Sequence, residues 1–281
     1  MALKRVLIVG AGLIGGSMGL ALSRRMPHLE VDAVDVNPAY REQAAGLRAF
    51  RHVWHALESA PSDYDLAVLA VPVDAAIHLL PRVRGKASWV MDVCSVKRPI
   101  VEAMDRVLTG SRGVPSHPMA GKAQAGPLGA DEALFEGRSW IFLETHRPPA
   151  EIEELVRRLG ARVVRVPDAE DHDRRMAEAS HGIHLASQCA VLAAEMDPAA
   201  IAEIAGPAFW DVTRLASSPS EFWIQTLGAN REHVIAWLRR FEAAARSFRA
   251  ALERGDAAEV RILLEEAKRR RERADAARNT E

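Results

Sequence analysis

The sequence predicts an α/β domain with a mostly parallel, doubly wound sheet, followed by an all-α C-terminal domain. Three observations carry this. Short apolar runs alternate with helix-period stretches through the first half, the strand signal stops near Asp168, and a glycine-rich turn joins the first run to the first helix. The domains are accordingly placed at residues 1–167 and 168–281.

Taken in order, Val6 to Val9 form a buried parallel strand, broken by Gly10-Ala11-Gly12-Leu13-Ile14-Gly15 and an apolar helix. Gly10 permits the tight exit, Gly12 lets backbone approach a pyrophosphate, and Gly15 lets helix and strand pack closely. The helix N-terminus, with Leu13 and Ile14 in its first turn, offers free amides to phosphates. A second strand from Val31 ends at Asp35, twenty residues past Gly15. A carboxylate there accepts from the ribose hydroxyls of NAD and repels a 2′-phosphate. This pattern predicts a Rossmann-type dinucleotide-binding domain with NAD as cofactor; Arg41, on the next helix, leaves NADP as the lesser alternative.

Further on, Leu66 to Val71 is a doubly buried strand closed by Pro72, followed by helical spacing at Ile77, Leu80 and Val83. Trp89 to Met91 leads into Asp92-Val93-Cys94-Ser95-Val96-Lys97, and Ile100 to Leu108 read as a helix. Gly113 to Pro115 lead to Ser116-His117-Pro118, and strands at 140–143 and 161–166 flank a helix at 151–159. Ligands of an open parallel sheet lie beyond the strands' carboxyl ends, which gathers Gly10, Val71, Pro72, Ser95 and His117 at one edge. His117, placed in a loop after a strand, is the candidate acceptor of a hydroxyl proton during hydride removal. A surface-loop histidine is the bland alternative. Lys97 reads either as a surface residue at a helix start or as part of an anion pocket.

Residues 169–196 read as one long helix with Met176, Ala179, Ile183, Ala186 and Ala190 on its apolar face, and Pro198, Pro207 and Pro219 punctuate shorter helices. Val234 to Leu252 and Val260 to Ala267 form two apolar stripes around Gly255-Asp256, predicting an antiparallel hairpin. The stripe exceeds what one copy covers, which predicts a homodimer through the C-terminal helices. A net charge of -1 disfavours nucleic acid and anionic membranes as partners, and the apolar runs are too short to span a bilayer. Two cysteines form neither a disulfide framework nor a metal set, and no room for a signal peptide precedes the first strand, so a cytoplasmic protein is expected. His181 and His184 have metal-ligand spacing without an evident third ligand, and no metal is expected.

Five stretches together, residues 10–17, 92–97, Ser116-His117-Pro118-Met119-Ala120-Gly121, Ser180-His181-Gly182-Ile183-His184 and 211–216 with Trp223, resemble the prephenate/arogenate dehydrogenase (TyrA) family. The resemblance implies NAD-dependent removal of hydride from the ring C4 carbinol of prephenate, with loss of CO₂, in tyrosine biosynthesis. His117 would accept the C4 hydroxyl's hydrogen bond, and Ser95 would orient hydroxyl and imidazole. Arg214, beside Thr213, would grip a substrate carboxylate, and His184, Trp223 and Lys122 would border the substrate. Cys94, Gly182-Ile183 and Lys122 depart from the family's usual residues. Those departures keep arogenate, or a modified substrate such as 4-amino-4-deoxyprephenate, as alternatives. A non-catalytic NAD-binding regulator is a further one.

Overall fold

The computed structural model describes residues 3–108, 112–122, 124–194 and 197–279. Residues up to Arg231 form one compact unit and those from Glu232 another. In the first, β1 (Arg5–Val9), α1 (Leu13–Arg25), β2 (Glu30–Val34), α2 (Pro38–Gly46) and the two-residue β3 (Val53–Trp54) precede β4 (Tyr64–Leu69). Then come α3 (Val73–Val83), β5 (Ala87–Asp92), α4 (Arg98–Val107), β6 (Gly113–Pro118), β7 (Ser139–Leu143), α5 (Ala150–Arg158) and β8 (Arg162–Val166). The eight strands form one sheet in the order β3-β2-β1-β4-β5-β6-β7-β8. The first six are parallel, and β7 and β8 run the other way, β7 pairing antiparallel with β6. Strand order reverses between β1 and β4, the switch point at which such sheets bind ligands.

The two-residue period of the strands explains why both faces are covered. Val6 and Ile8 of β1 join one apolar cluster with Met18 and Leu22 of α1 and Leu155 of α5. Leu7 and Val9 point to the other face, where Leu80 of α3 and Met104 of α4 close a second cluster. A central strand buried on both sides must therefore be continuously apolar, as β1 and β4 are.

Past β8 the structure departs from the sequence reading. α6 (Ala169–Met176), a five-residue π-helical turn (Ala177–His181) and α7 (Gly182–Leu192) run as one interrupted helix, ending short of residue 196. Glu195 and Met196, the last residues of the predicted helix, lie outside the described residues. A π turn inserts a residue and so rotates everything after it by about 100°. The buried side chains of α7 are therefore His184 and Ser187, beside the buried Gly182, whereas Ile183, read on the apolar face, is 49% exposed. α8 (Pro198–Ile204), α9 (Pro207–Thr213), a 3-10 turn (Arg214–Ser217) and α10 (Ser220–Ala229) complete the unit. Proline opens α8 and α9, where its missing N–H costs nothing.

The second unit consists of α11 (Arg231–Glu253), from its second residue, and α12 (Ala257–Asn279). Gly255 turns between them with φ +66°. The predicted hairpin does not close. α12 makes no extended contact with α11 and buries none of its described side chains, and Leu252, Ile262 and Leu264 stay largely exposed. An apolar seam needs a facing helix, and among the described residues α11 does not supply one to α12. Among the described residues no helix is long and apolar enough to cross a membrane.

Candidate active site

The turn after β1 is shaped by close approach. Gly10 has φ +99°, and a Cβ there would stand 2.3 Å from the Ala70 carbonyl oxygen. A Cβ on Gly15 would lie 1.9 Å from the Gly10 oxygen, so α1 packs against β1 only without a side chain at that position. Gly12 is different: a Cβ there would meet nothing within 4 Å, and no side chain caps the helix that begins at Leu13 and Ile14. Open space before uncapped amides suits a pyrophosphate. Asp35, half-buried beyond β2, accepts from the Ala11 amide at 2.9 Å and the Asn37 amide at 2.8 Å, tying the acidic position to the glycine turn. Arg41 is turned onto backbone, donating to the carbonyls of Asp35 at 3.1 Å and Val36 at 2.9 Å. Val71 and Pro72 follow the neighbouring strand end, with Pro72 at the N-cap of α3. These residues fit a dinucleotide.

Gly12→Ala therefore separates binding from folding. We expect unfolding free energy within about 1 kcal/mol of wild type, with NAD affinity at least about tenfold weaker because the methyl group fills the phosphate approach. Fluorescence titration with NAD beside thermal unfolding measures both, and unaltered affinity would argue against this phosphate site.

His117 is not in a loop. It is a residue of β6 paired with Ile141 of β7, and only 9% of it is exposed. Its Nδ1 lies 3.0 Å from Nε2 of His172 on α6, whose Nδ1 in turn lies 2.7 Å from Oδ1 of Asp173. Burial, then the nearby His172, Lys97 and His181, hold the His117 pKa well below the ordinary histidine value. Burial also lowers His172, outweighing its carboxylate neighbour. Burial would raise Asp173, yet hydrogen bonds from His172 and the Arg98 and Lys97 amides hold its carboxyl below the usual range. Neither His172 nor Asp173 was singled out from sequence. The signal was a histidine between two aspartates just inside a helix start, with nothing local to tie it to His117.

Lys97 is not a surface residue: it is fully buried, ion-paired with Asp92, and donates to the Ser116 carbonyl at 2.7 Å. Asp92 also accepts from the Cys94 amide at 2.8 Å and the Ser116 amide at 3.3 Å. The pair thus fastens the end of β5 to β6 one residue from His117. The Cys94 thiol, pushed up by burial and then by Asp92, faces the Val71 carbonyl at 3.7 Å, in keeping with inert packing. Ser95 is half-buried, its hydroxyl 3.3 Å from Thr226 Oγ1 on α10 and without a hydrogen bond to His117.

The π turn and α7 bring the other two histidines to α10. His184 stacks on Trp223 with ring centroids 3.5 Å apart, and Trp223 meets His181 edge-on at 6.1 Å. His184 Nδ1 and Ser187 Oγ are buried without hydrogen-bond partners among the described residues. Burial pushes His181 down to about 4, and its Nδ1 lies 3.0 Å from Nδ2 of the Asn230 side chain. Among the described residues no group of three or more His, Cys, Asp or Glu is placed to hold a metal ion.

Two residues past His117 a cleft of ≈ 430 Å³ opens, lined by Met119, Gly121, Lys122, Asp131, Arg138 and Arg214 among others. Lys122 pairs with Asp131 at 2.7 Å, and the Asp131 amide donates to Ser17 of α1, linking the cleft to the glycine turn. Arg214, at the start of the 3-10 turn, is exposed and has no ion pair among the described residues; Thr213 beside it is buried and donates to the Phe209 carbonyl at 2.6 Å.

A helix N-terminus open to a pyrophosphate and a neutral, oriented imidazole on a nearby strand are what a dinucleotide-dependent dehydrogenase requires, and the basic cleft suits an anionic substrate. Comparison with known proteins narrows that class. Residues 18–165 match the nucleotide-binding domain of prephenate dehydrogenase, and residues 168–266 its dimerization domain. The chain is 26% identical to prephenate dehydrogenase of Lactococcus lactis over 96% of its own length and 77% of that protein. It is 28% identical to cyclohexadienyl dehydrogenase of Zymomonas mobilis over 90% of both chains. Its fold matches that of prephenate dehydrogenase from A. aeolicus, solved in complex with hydroxyphenyl propionate and NAD+, with a TM-score of 0.87, 24% identity and coverage of 98% and 99%. The chain belongs to the prephenate dehydrogenase family.

Proposed function

We propose that the chain catalyses the NAD-dependent oxidative decarboxylation of prephenate to 4-hydroxyphenylpyruvate, the tyrosine-forming branch, as a cytoplasmic homodimer joined by its C-terminal helices. In this reading residues 1–167 hold the cofactor, and 168–281 complete the substrate pocket and the dimer. The observation that carries it is the cleft after His117, where among the described residues Arg214 and Arg138 have no ion pair, Lys122 pairs with Asp131, and Glu136, the other acid of the lining, is held by Arg25. Such surroundings suit a substrate with two carboxylates and no ammonium. Helical surfaces that stay apolar and exposed, as on α12, support the dimer.

Gly10, Gly12, Leu13, Ile14, Gly15 and Asp35 would hold the adenosine diphosphate half of NAD, with Val71, Pro72 and Ser95 near the nicotinamide. When bound, NAD supplies the hydride acceptor. His117 Nε2 takes the C4 hydroxyl proton as the C4–H bond breaks. The electrons of the ring C–CO₂⁻ bond then pass into the ring as CO₂ leaves, the ring oxygen becomes a phenol, and His117 returns the proton to it. Aromatisation drives this step without a further acid. Ser95, held among the described residues by a long side-chain hydrogen bond to Thr226, can turn toward the hydroxyl. Arg214 grips one carboxylate through two parallel bonds, and the His184–Trp223 stack forms an apolar wall.

Initial rates of NADH or NADPH formation, with prephenate and L-arogenate each offered with NAD and NADP, test this. The expected result is turnover of prephenate with NAD, faster than any other pair. Arg214→Ala should raise KM for prephenate by about 10²-fold or more, the loss of a bidentate charged contact, and leave NAD affinity intact. Tight NAD binding with no turnover of either substrate would overturn the proposal.

A further inference from the structure

We propose that His172 and Asp173 are a positioning pair that locks His117 in one tautomer, with its proton on Nδ1 and its lone pair on Nε2. The argument runs along three bonds. Asp173 accepts the Lys97 amide at 2.7 Å through Oδ1 and the Arg98 amide at 2.8 Å through Oδ2. Those two donors, at the entrance to α4, fix the carboxylate in place and in its ionised, acceptor-only form. His172 Nδ1, 2.7 Å from Oδ1, must therefore carry a proton. A neutral imidazole has one N–H, so His172 Nε2 is a lone pair, and it faces His117 Nδ1 at 3.0 Å. Only His117 can supply the proton between them. The rings meet at 62° with centroids 5.2 Å apart, an edge-on arrangement consistent with an N–H···N bond.

With Nδ1 protonated, the neutral His117 ring has its acceptor at Nε2. The opposite tautomer would set two lone pairs against each other at 3.0 Å in a buried site, leaving both unsatisfied. The surroundings of the two rings agree with neutrality. Burial is its main cause at both rings; Lys97 adds like charge at each, and at His172 it is opposed by Asp173 and Asp92. When His117 does take a proton, its Nδ1–H remains bonded to His172, and Asp173 places a negative charge behind it. The catalytic use of Nε2 rests on the function proposed above; the tautomer itself does not.

Long-range ¹H–¹⁵N spectra of the ligand-free protein, labelled at histidine, read the tautomers directly. The wild type should show His117 and His172 both protonated at Nδ1. His172→Phe should move His117 toward the Nε2–H form and lower kcat about 10²-fold with NAD affinity unchanged. His172→Gln, whose side-chain oxygen can accept from Nδ1, should restore the tautomer and at least about tenfold of the rate. An Nε2–H form of His117 in the wild type, or an unaltered His117 signal in a folded His172→Phe, would overturn the pair. Expected spectra without prephenate turnover would instead remove the proposed substrate and leave the pair standing.

Discussion

His117→Asn is expected to lower kcat about 10³-fold, with NAD affinity and thermal unfolding close to wild type. An asparagine amide reaches about as far as Nδ1 and can still donate to His172, so the buried partner stays satisfied. Nothing then stands where Nε2 stood, and the hydroxyl proton has no acceptor. Steady-state kinetics with a parallel melting curve checks this, and a loss under tenfold would assign the proton to another group. The wild-type pH profile adds a constraint. Because burial, with His172, Lys97 and His181 around it, lowers the His117 pKa, the ring is neutral from alkaline pH down through the ordinary histidine range. It protonates only when pH falls below that depressed value. kcat/KM should therefore show no acid limb near 6.5 from this residue.

Lys97→Met should destabilise the fold by about 3–5 kcal/mol, the cost of stranding one member of a buried ion pair. Both side chains are 0% exposed. Without Lys97, Asp92 stays buried with only backbone donors, and the Ser116 carbonyl loses the donor at 2.7 Å. Exposed pairs such as Arg158–Glu154 offer the contrast, since breaking one of those costs about 1 kcal/mol or less. Urea unfolding of Lys97→Met beside Arg158→Met measures the difference. Equal midpoints would mean that the Asp92–Lys97 pair does not hold β5 to β6.

How much of this was legible depended on how local each feature is. The Gly10–Gly15 turn and Asp35 are specified by adjacent residues and by the reach of one strand–helix–strand unit, so their placement could be read directly. The strand ends bearing Ser95 and His117 followed from the rule that parallel strands deliver their carboxyl ends to one edge, although the edge took His117 into β6 itself. His172 was not legible, because 55 residues separate it from its partner and only the packing of α6 brings the rings together. The burial of Lys97 was not legible for a related reason. A lysine at a helix start is ordinarily solvated, and its burial depends on Asp92 and on Ser116 of the next strand.

The sequence by itself determined the order of elements, the doubly wound sheet, the dinucleotide turn and the residues that resemble a prephenate dehydrogenase site. These rest on periodicity and turn chemistry, which act over a few residues. Tertiary structure alone decided which histidine supports His117 and that Lys97 is a buried clamp. It also decided that a π turn rotates His184 and Ser187 inward, and that α12 leaves its apolar stripe uncovered. Each of these depends on which surfaces meet after collapse: a one-residue insertion in a helix, or an ammonium's choice between water and a carboxylate, is settled by packing energies that no local pattern contains.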